Sequence, residues 1–162
     1  ALLRAAERLP ADGRPMSEAS RTGFRLAGAL GSAGDRTGSQ RVSALALEWA
    51  EAATDREPTA ASKSSLAALL FHLSAASEEP AVLRGQATAL LAEAAMQDPA
   101  NPVYAARLAQ REAESGREAD ALRWAAEALE RHNRVAVMDP LAGLPRAELR
   151  ELRRLLETSG SP

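Results

Sequence analysis

The chain has 162 residues, a formal net charge of −2 and no cysteine. The lack of cysteine excludes disulfide bonds, thiolate metal sites and a cysteine nucleophile. Basic and acidic residues are interspersed, so no basic patch for nucleic acid is present, and no apolar stretch is long enough to predict direct membrane insertion. Alanine supplies much of the 46% apolar fraction and aromatic residues make up 3%, which favours many shallow helix–helix contacts over one deep core.

An alanine followed five residues later by a proline recurs along the chain and divides it into units. The pattern occurs as Ala5–Pro10, Ala53–Pro58 and Ala94–Pro99, and once more as Ala128–Asn133. In the last copy asparagine takes the place of proline. Successive alanines lie 48, 41 and 34 residues apart, a period typical of stacked helical hairpins.

The residue pattern of the first part of the chain predicts half of a helical hairpin followed by one full hairpin. We expect residues 1–9 to form a short helix, the second half of a hairpin, and another helix to run from Ser17 to Gly31. The apolar stripe of that second helix is Gly23, Leu26, Ala27 and Leu30, the i, i+3, i+4, i+7 spacing of one helix face. The polar, glycine-rich residues 31–39 predict a long loop. A helix over residues 40–54, with Leu45 on its apolar side, completes a unit that spans 17–58.

The second part predicts two further hairpins and a terminal helix. The second unit spans residues 62–99, and its first helix carries leucines at the spacing of one helix face. The third unit spans residues 102–133, with Gly116 as the left-handed stop of its first helix and His132 near the end of its second. A helix predicted over residues 145–158 has one apolar stripe and a charged opposite face. Such a helix is typical of the last element of a repeat array, which needs a polar outer face.

Residues 98–131 carry the pattern of a known repeat without gaps. A Leu–small pair falls on Leu108 and Ala109, a turn glycine on Gly116, and two small residues on Ala121 and Ala128. These 34 residues resemble a tetratricopeptide repeat in register, and the other units are similar to it more loosely, with insertions between their helices. The resemblance implies an all-α, right-handed α-solenoid of tetratricopeptide-like hairpins with a C-terminal capping helix.

In the tetratricopeptide family the first helices of the hairpins line a concave groove. Transferred to this chain, the groove positions are Arg21, Phe24, Phe71, Ser74, Val103, Gln110 and Glu114, together with Ser64, Ala67 and Ala106. Both phenylalanines fall on this face, where exposed aromatic side chains act as binding anchors. The alternative, that Phe24 and Phe71 pack against adjacent helices, remains open. A shallow, mostly apolar groove of this kind would suit an extended peptide or an amphipathic helix.

Catalytic and metal-binding constellations are not recognisable in the sequence. The two histidines are His72, in an apolar helix, and His132, where a cation near a helix end favours the helix dipole. Gly28, Gly31 and Gly34 have the spacing of a phosphate loop but follow no strand, so helix packing and turns explain them. We therefore predict no enzyme activity, metal or cofactor for this segment.

These patterns predict a protein–protein interaction or scaffold module of a larger bacterial protein, with a protein or peptide as its partner. A first alternative rests on residues 138–144 and the charged helix that follows, which resemble the tails of bacterial membrane proteins similar to O-antigen ligases or glycan polymerases. The chain would then be a soluble accessory domain. An enzyme on a helical scaffold is the second alternative. The open apolar face of residues 1–9 would also allow a homodimer, and a cytoplasmic or periplasmic location, with or without a membrane tether outside this chain, remains open.

Overall fold

A computed structural model describes residues 14–139 and 142–158, which form seven α-helices and no strand. The helices are α1 (Arg14–Ser32), α2 (Arg36–Arg56), α3 (Ala60–Ser74), α4 (Pro80–Gln97), α5 (Pro102–Glu114), α6 (Glu118–Met138) and α7 (Arg146–Thr158). The prediction of an all-α protein is confirmed for these residues. The helix predicted over residues 1–9 lies outside them.

The chain divides into two compact units, one up to Leu90 and one from Leu91 onward, with the boundary inside α4. In the first unit α1 and α2 pack along each other, and α3 packs against both. In the second unit α5 and α6 pack along each other in the same way, and α7 packs against both. Each unit therefore contains an antiparallel helix pair, a third helix that packs against both members of the pair, and a part of α4.

The two helix pairs are joined by the same three-residue turn, centred on Gly34 in one pair and on Gly116 in the other. Both glycines have positive φ, 86° and 72°, which glycine adopts without a steric penalty. In each turn the glycine N–H donates to the carbonyl three residues earlier, and the next N–H donates to the carbonyl five residues before it, over 2.9–3.1 Å. This hydrogen-bond pattern is the Schellman motif, and it confirms the left-handed stop predicted at Gly116.

The glycine-rich residues 31–39 are not the long loop that the sequence predicts. Helix α1 continues to Ser32, and α2 begins at Arg36 after Asp35, whose Oδ1 accepts a hydrogen bond from the Gly38 N–H at 2.8 Å. The Ser39 hydroxyl donates to the Ala27 carbonyl at 2.8 Å, which ties the two helices together near the turn. The first helix of this pair has 19 residues against 13 in α5, whereas the second helices have 21 each, so the extra residues lengthen α1 and leave the turn short.

Small residues set the helix spacing in the first unit. A Cβ placed on Gly23 would lie 3.1 Å from the Ala46 Cβ and 3.4 Å from the Trp49 ring, so the two helix backbones approach closely there. Leu26 is 50% exposed and Leu45 is 44% exposed, so their predicted place in the buried stripe is wrong. Because the Gly23 face of α1 is turned towards α2, the neighbouring leucine lies at the side of the interface.

One buried hydrophobic cluster of the second unit, the alanine core, consists mostly of alanine. Its buried members are Ala105, Ala106 and Ala109 on α5, Ala125 and Ala128 on α6, Leu144 before α7 and Leu152 on α7. An alanine side chain removes little apolar surface from water when it is buried. Burial stabilises a fold by about 25 cal/mol per Å² of apolar area, so each alanine contributes little. The larger side chains packed around the alanines, such as Trp124 and Leu129, therefore contribute much of the buried apolar area.

Helix α6 is longer than predicted and runs six residues past His132, to Met138. The side chain of Arg131 anchors this part of the helix, because its Nη1 donates to the Ala95 carbonyl at 2.8 Å and its Nε to Glu127 at 2.7 Å. The helix ends just before Asp139, whose φ of −143° and ψ of 99° are extended, as is usual for a residue that precedes proline. The predicted helix end near His132 is therefore wrong.

Candidate interaction surface

The predicted groove residues on α1 are Arg21 and Phe24. Arg21 is exposed and forms an ion pair with Glu18, one turn earlier on the same helix. Phe24 is half-buried, and its ring meets the His72 ring of α3 edge to face, with the centroids 4.8 Å apart. Edge-to-face aromatic contacts of this kind are favourable. Phe24 therefore packs against an adjacent helix and keeps part of its ring accessible.

The predicted groove residues on α3 differ in exposure. Phe71 is half-buried, next in sequence to the exposed His72. Ser74 is 3% exposed, and its hydroxyl donates to the Phe71 carbonyl at 2.7 Å and accepts from the Arg84 Nε at 3.2 Å. Ser74 therefore does not line an open surface, contrary to the prediction. The physical reason is that α3 is buried on several faces, including the side that carries Ser64 and Ala67.

The three predicted groove residues of the second unit lie on α5. Val103 is half-buried and packs against the alanine core of that unit, so it contributes mainly to packing. Gln110 is half-buried, and Glu114 is exposed and pairs with Arg111 at 2.6 Å. Ala106, which the same transfer places in the groove, is fully buried. Of this set, Gln110 and Glu114 are the side chains that reach solvent with polar groups.

The seven predicted residues fall into two groups that belong to different units. Arg21, Phe24 and Phe71 lie in the first unit on the two helices α1 and α3, which pack together. The rings of Phe24 and His72 are in contact. Arg21 lies one turn before Phe24 on α1, and Phe71 directly precedes His72 on α3. They form the candidate interaction surface, which consists of Arg21, Phe24, Phe71 and His72. Partner binding by any of them remains a prediction.

A cleft in the first unit was not predicted. It has a volume of about 310 Å³ and is lined by the starts of α1 and α3 and by the connection between α2 and α3, and Arg21 contributes to its wall. Two hydroxyl groups that line the cleft are hydrogen-bonded to backbone groups. The Thr59 Oγ1 accepts from the Ser62 N–H at 3.2 Å, and the Ser62 hydroxyl donates to the Glu57 carbonyl at 2.7 Å. The cluster of Thr and Ser at residues 59–65 is the sequence signal of this helix cap.

Ionisable side chains are also buried in the second unit. The Glu112 side chain is 7% exposed and pairs with Arg117, which follows the turn glycine. Burial raises the pKa of the Tyr104 phenol, the nearby Asp98 carboxylate raises it further, and Arg107 opposes them. Because the Glu112 carboxylate has a cationic partner, its burial is compatible with a structural role.

The contact between α6 and the segment before α7 joins a histidine to a backbone group. The Leu144 N–H donates to the His132 Nδ1 at 3.0 Å. Gly143 lies against the same ring, since a Cβ placed on it would be 2.6 Å from the imidazole Nδ1 and Cε1. Leu144 itself is buried in the alanine core. No local sequence pattern indicates this contact, because the two residues are twelve positions apart and belong to different elements.

A comparison with protein-family models gives no match, and a comparison with curated proteins gives none either. Within residues 14–139 and 142–158, no group of three or more His, Asp or Glu side chains is placed to hold a metal ion. None of the helices described in this structure has the length and hydropathy needed to cross a membrane.

Proposed function

We propose that this chain is a tetratricopeptide-like repeat module that binds a peptide segment of a partner protein. The observation that carries the proposal is the repetition of one arrangement: an antiparallel helix pair, a Schellman turn and a third helix packed against both. Modules of this kind stack their repeats into a right-handed solenoid and present first helices to a ligand. In this chain those first helices are α1, α3 and α5.

The candidate interaction surface has the side chains that such binding requires. Phe24 and Phe71 are half-buried, so each offers part of a rigid aromatic ring held by its own helix. The exposed Arg21 adds a cation one turn before Phe24 on α1, although its ion pair with Glu18 would have to open or be shared. Aromatic residues and arginine dominate the binding energy of many interfaces. The surface is therefore suited to an apolar side chain of a peptide, flanked by an acidic residue.

The test is a selection of peptides from a displayed random library, followed by affinity measurements on variants of the chain. We expect selected peptides to bind the wild type and to lose about tenfold or more in affinity with Phe71→Ala or Phe24→Ala, since a buried aromatic anchor contributes about 2 kcal/mol. Leu26→Ala is the matched control, because Leu26 is exposed, apolar and outside the surface. Circular dichroism of each variant separates lost binding from lost folding.

Two results would contradict the proposal. One is a set of selected peptides whose affinity is the same for the wild type and for the folded Phe24→Ala and Phe71→Ala variants. The other is a greater loss with Leu26→Ala than with either aromatic variant, which would move the contact to another face of α1. Replacement of acidic residues in a selected peptide tests the contribution of Arg21, because binding should then weaken and its salt dependence should fall.

A further inference from the structure

We propose that two copies of this chain associate through the side of the α1/α2 pair that faces away from α3. Leu26 on α1 and Leu45 on α2 are large apolar side chains on this side, and they are 50% and 44% exposed. Leu30, Val42 and Trp49 are half-buried and lie on the same two helices. These five residues are the outer face of the pair, and exposed apolar side chains that lie together mark protein contacts.

The position of Leu26 along α1 places it on the side opposite to α3. Phe24 contacts α3 through the His72 ring. Leu26 follows Phe24 by two residues, which is a rotation of about 200° around the helix axis. Leu30 lies one turn after Leu26 and therefore belongs to the same side. The leucine side of α1 and the candidate interaction surface thus lie on opposite sides of this helix.

The position of Leu45 along α2 places it on the same side of the pair. A Cβ placed on Gly23 of α1 would lie against Ala46 and against the Trp49 ring, so this part of α2 faces α1. Around the helix axis, Leu45 and Trp49 lie to one side of Ala46. The buried Ala50 lies to the other side. Because α1 and α2 run antiparallel, the exposed side of α2 continues the side of α1 that is turned away from α3.

Two oppositely charged side chains flank Leu45 along α2. Arg41 precedes it by four residues and Glu48 follows it by three, and both are exposed. Residues that are seven positions apart lie about 10 Å from each other along the helix axis. Arg41 and Glu48 are therefore too far apart for the i, i+3 or i, i+4 ion pairs that form within a helix. Their spacing suits oppositely charged groups on a partner instead.

A second copy of the chain supplies those groups by symmetry. A two-fold axis that crosses α2 at Leu45, at a right angle to the helix, would place the α2 helices of two copies antiparallel, with Leu45 against Leu45. Along the helix, Arg41 lies about 6 Å from this axis and Glu48 about 4.5 Å. Arg41 of each copy would then face Glu48 of the other. The charge order on α2 is therefore complementary to itself, which favours a second copy over an unrelated partner.

Small residues occupy the next positions that the same axis would bring together. Gly38 lies seven residues before Leu45 and Ala52 seven residues after it. Seven residues return to nearly the same helix face, with a rotation of about 20°. Gly38 of one copy would therefore meet Ala52 of the other, and neither side chain would hold the two helices apart.

Self-association through the outer face would leave the candidate interaction surface accessible. A dimer would carry that surface twice, once on each copy. If the proposed peptide binding holds, a partner with two peptide segments would then gain affinity from the second contact. The self-association itself does not depend on the proposed function, because it uses different residues.

The test is sedimentation equilibrium of the 162-residue chain between about 10 and 500 μM. The outer face has two exposed large apolar side chains, so we expect a weak dimer with a dissociation constant on the order of 100 μM. Arg41→Glu and Glu48→Arg should each weaken it at least tenfold, because like charges would then face each other twice. Arg150→Glu, an equal charge change at an exposed position of α7, is the matched control and should dimerise as the wild type does.

An equimolar mixture of the two charge variants is the sharpest measurement. One variant is acidic at both positions and the other is basic at both, so the mixture should form a dimer about as readily as the wild type. Circular dichroism checks that each variant is folded. Leu45→Ser, which changes no charge, should also weaken the dimer and replaces the mixture if a charge variant does not fold.

Three results would overturn the proposal. The first is a wild-type chain that stays monomeric over the whole concentration range, which would leave the outer face to another occupant. The second is a dimer that the folded Arg41→Glu, Glu48→Arg or Leu45→Ser variants retain at wild-type strength. The third is a mixture of the two charge variants that stays monomeric, because Arg41 and Glu48 would then not face each other.

Discussion

The helix pairs α1/α2 and α5/α6 reverse the chain with the same backbone turn but support that turn with different side chains. In the first pair Asp35 follows the turn glycine and its carboxylate caps α2 through the Gly38 N–H. In the second pair Arg117 takes that place, α6 has no side-chain cap, and the arginine reaches back to the buried Glu112. The backbone hydrogen bonds around the glycine are common to both pairs, so they define the turn and the side chains that assist it are replaceable.

The two pairs also differ in length, and the difference lies in the first helix. Helix α1 has 19 residues and α5 has 13, whereas α2 and α6 have 21 each. Leu26 and Leu108 each lie eight residues before the turn glycine of their pair, yet Leu26 is half-exposed and Leu108 is fully buried. Equivalent sequence positions therefore have different environments in the two pairs, and stability measurements can show this directly.

The largest expected effect is a difference in the stability lost when each of these two leucines is replaced by alanine. Leu108→Ala should lower the free energy of unfolding by about 2–5 kcal/mol, because it removes a fully buried side chain and leaves a cavity. Leu26→Ala should cost less than about 1 kcal/mol, since its side chain is already half in water. Urea unfolding followed by circular dichroism measures both. Equal losses would mean that Leu26 is buried in solution and that the two pairs are more alike than the structure shows.

The next effect tests the identity of the two turns. Gly34→Ala and Gly116→Ala should each cost about 1–2 kcal/mol, because a side chain disfavours the left-handed conformation, and in both cases no neighbouring atom would meet the added Cβ. Gly28→Ala is the matched control. Gly28 lies within α1 in open space, so alanine there should stabilise the chain by about 0.5–1 kcal/mol. Clearly unequal losses at the two turn glycines would break the equivalence.

A smaller effect distinguishes the side chains that support the turns. Asp35→Ala should cost about 1 kcal/mol of stability, because the first N–H groups of α2 lose their cap. Asp35→Asn keeps an acceptor oxygen at the same place and should recover most of that loss. The stability of both variants follows from the same urea titration. If Asp35→Ala were neutral, the cap would be dispensable, and α2 would begin as α6 does.

The smallest effect concerns pH and belongs to the second unit. The raised pKa of Tyr104 means that the folded state holds the phenol proton more tightly than the unfolded state does. Stability linked to this group is therefore complete below the unfolded pKa of about 10, and it falls as the pH rises through the folded pKa. The chain has one tyrosine, so an absorbance titration of tyrosinate reports on it directly. A titration at or below the pKa of a free tyrosine would contradict this expectation.

Much of the helical architecture could be predicted from the sequence, because periodic apolar residues and turn glycines act locally. Gly116 illustrates this, since its position after an amphipathic helix specified a left-handed turn. The residues around Gly34 show the limit: Gly31 and Gly38 indicate a loop, yet both are helical and only Gly34 has a positive φ. The number of glycines in a segment does not show which of them adopts the left-handed conformation, because both helices can extend to within one or two residues of the turn glycine.

The candidate surface was harder to predict, because burial on a helix depends on how many neighbours cover it. Ser74 has the spacing of an exposed position, but α3 is covered on several faces and the hydroxyl is used internally. The sequence leaves Phe24 as either an anchor or a packing residue, and its contact with the His72 ring shows that it packs against α3. The link from His132 to Leu144 depends on tertiary structure, which no local pattern contains.

The greater length of α1 bears on how the reach of such a hairpin can vary. Helix α1 has 19 residues and α5 has 13, yet both are followed by the same three-residue turn with the same backbone hydrogen bonds. Gly23 and the buried Ala105 each lie eleven residues before the turn glycine of their pair. Because the hydrogen bonds of an α-helix are local, turns added at the far end of the first helix leave the register beside the turn unchanged. The first helix of such a hairpin can therefore change its reach without altering how the chain reverses.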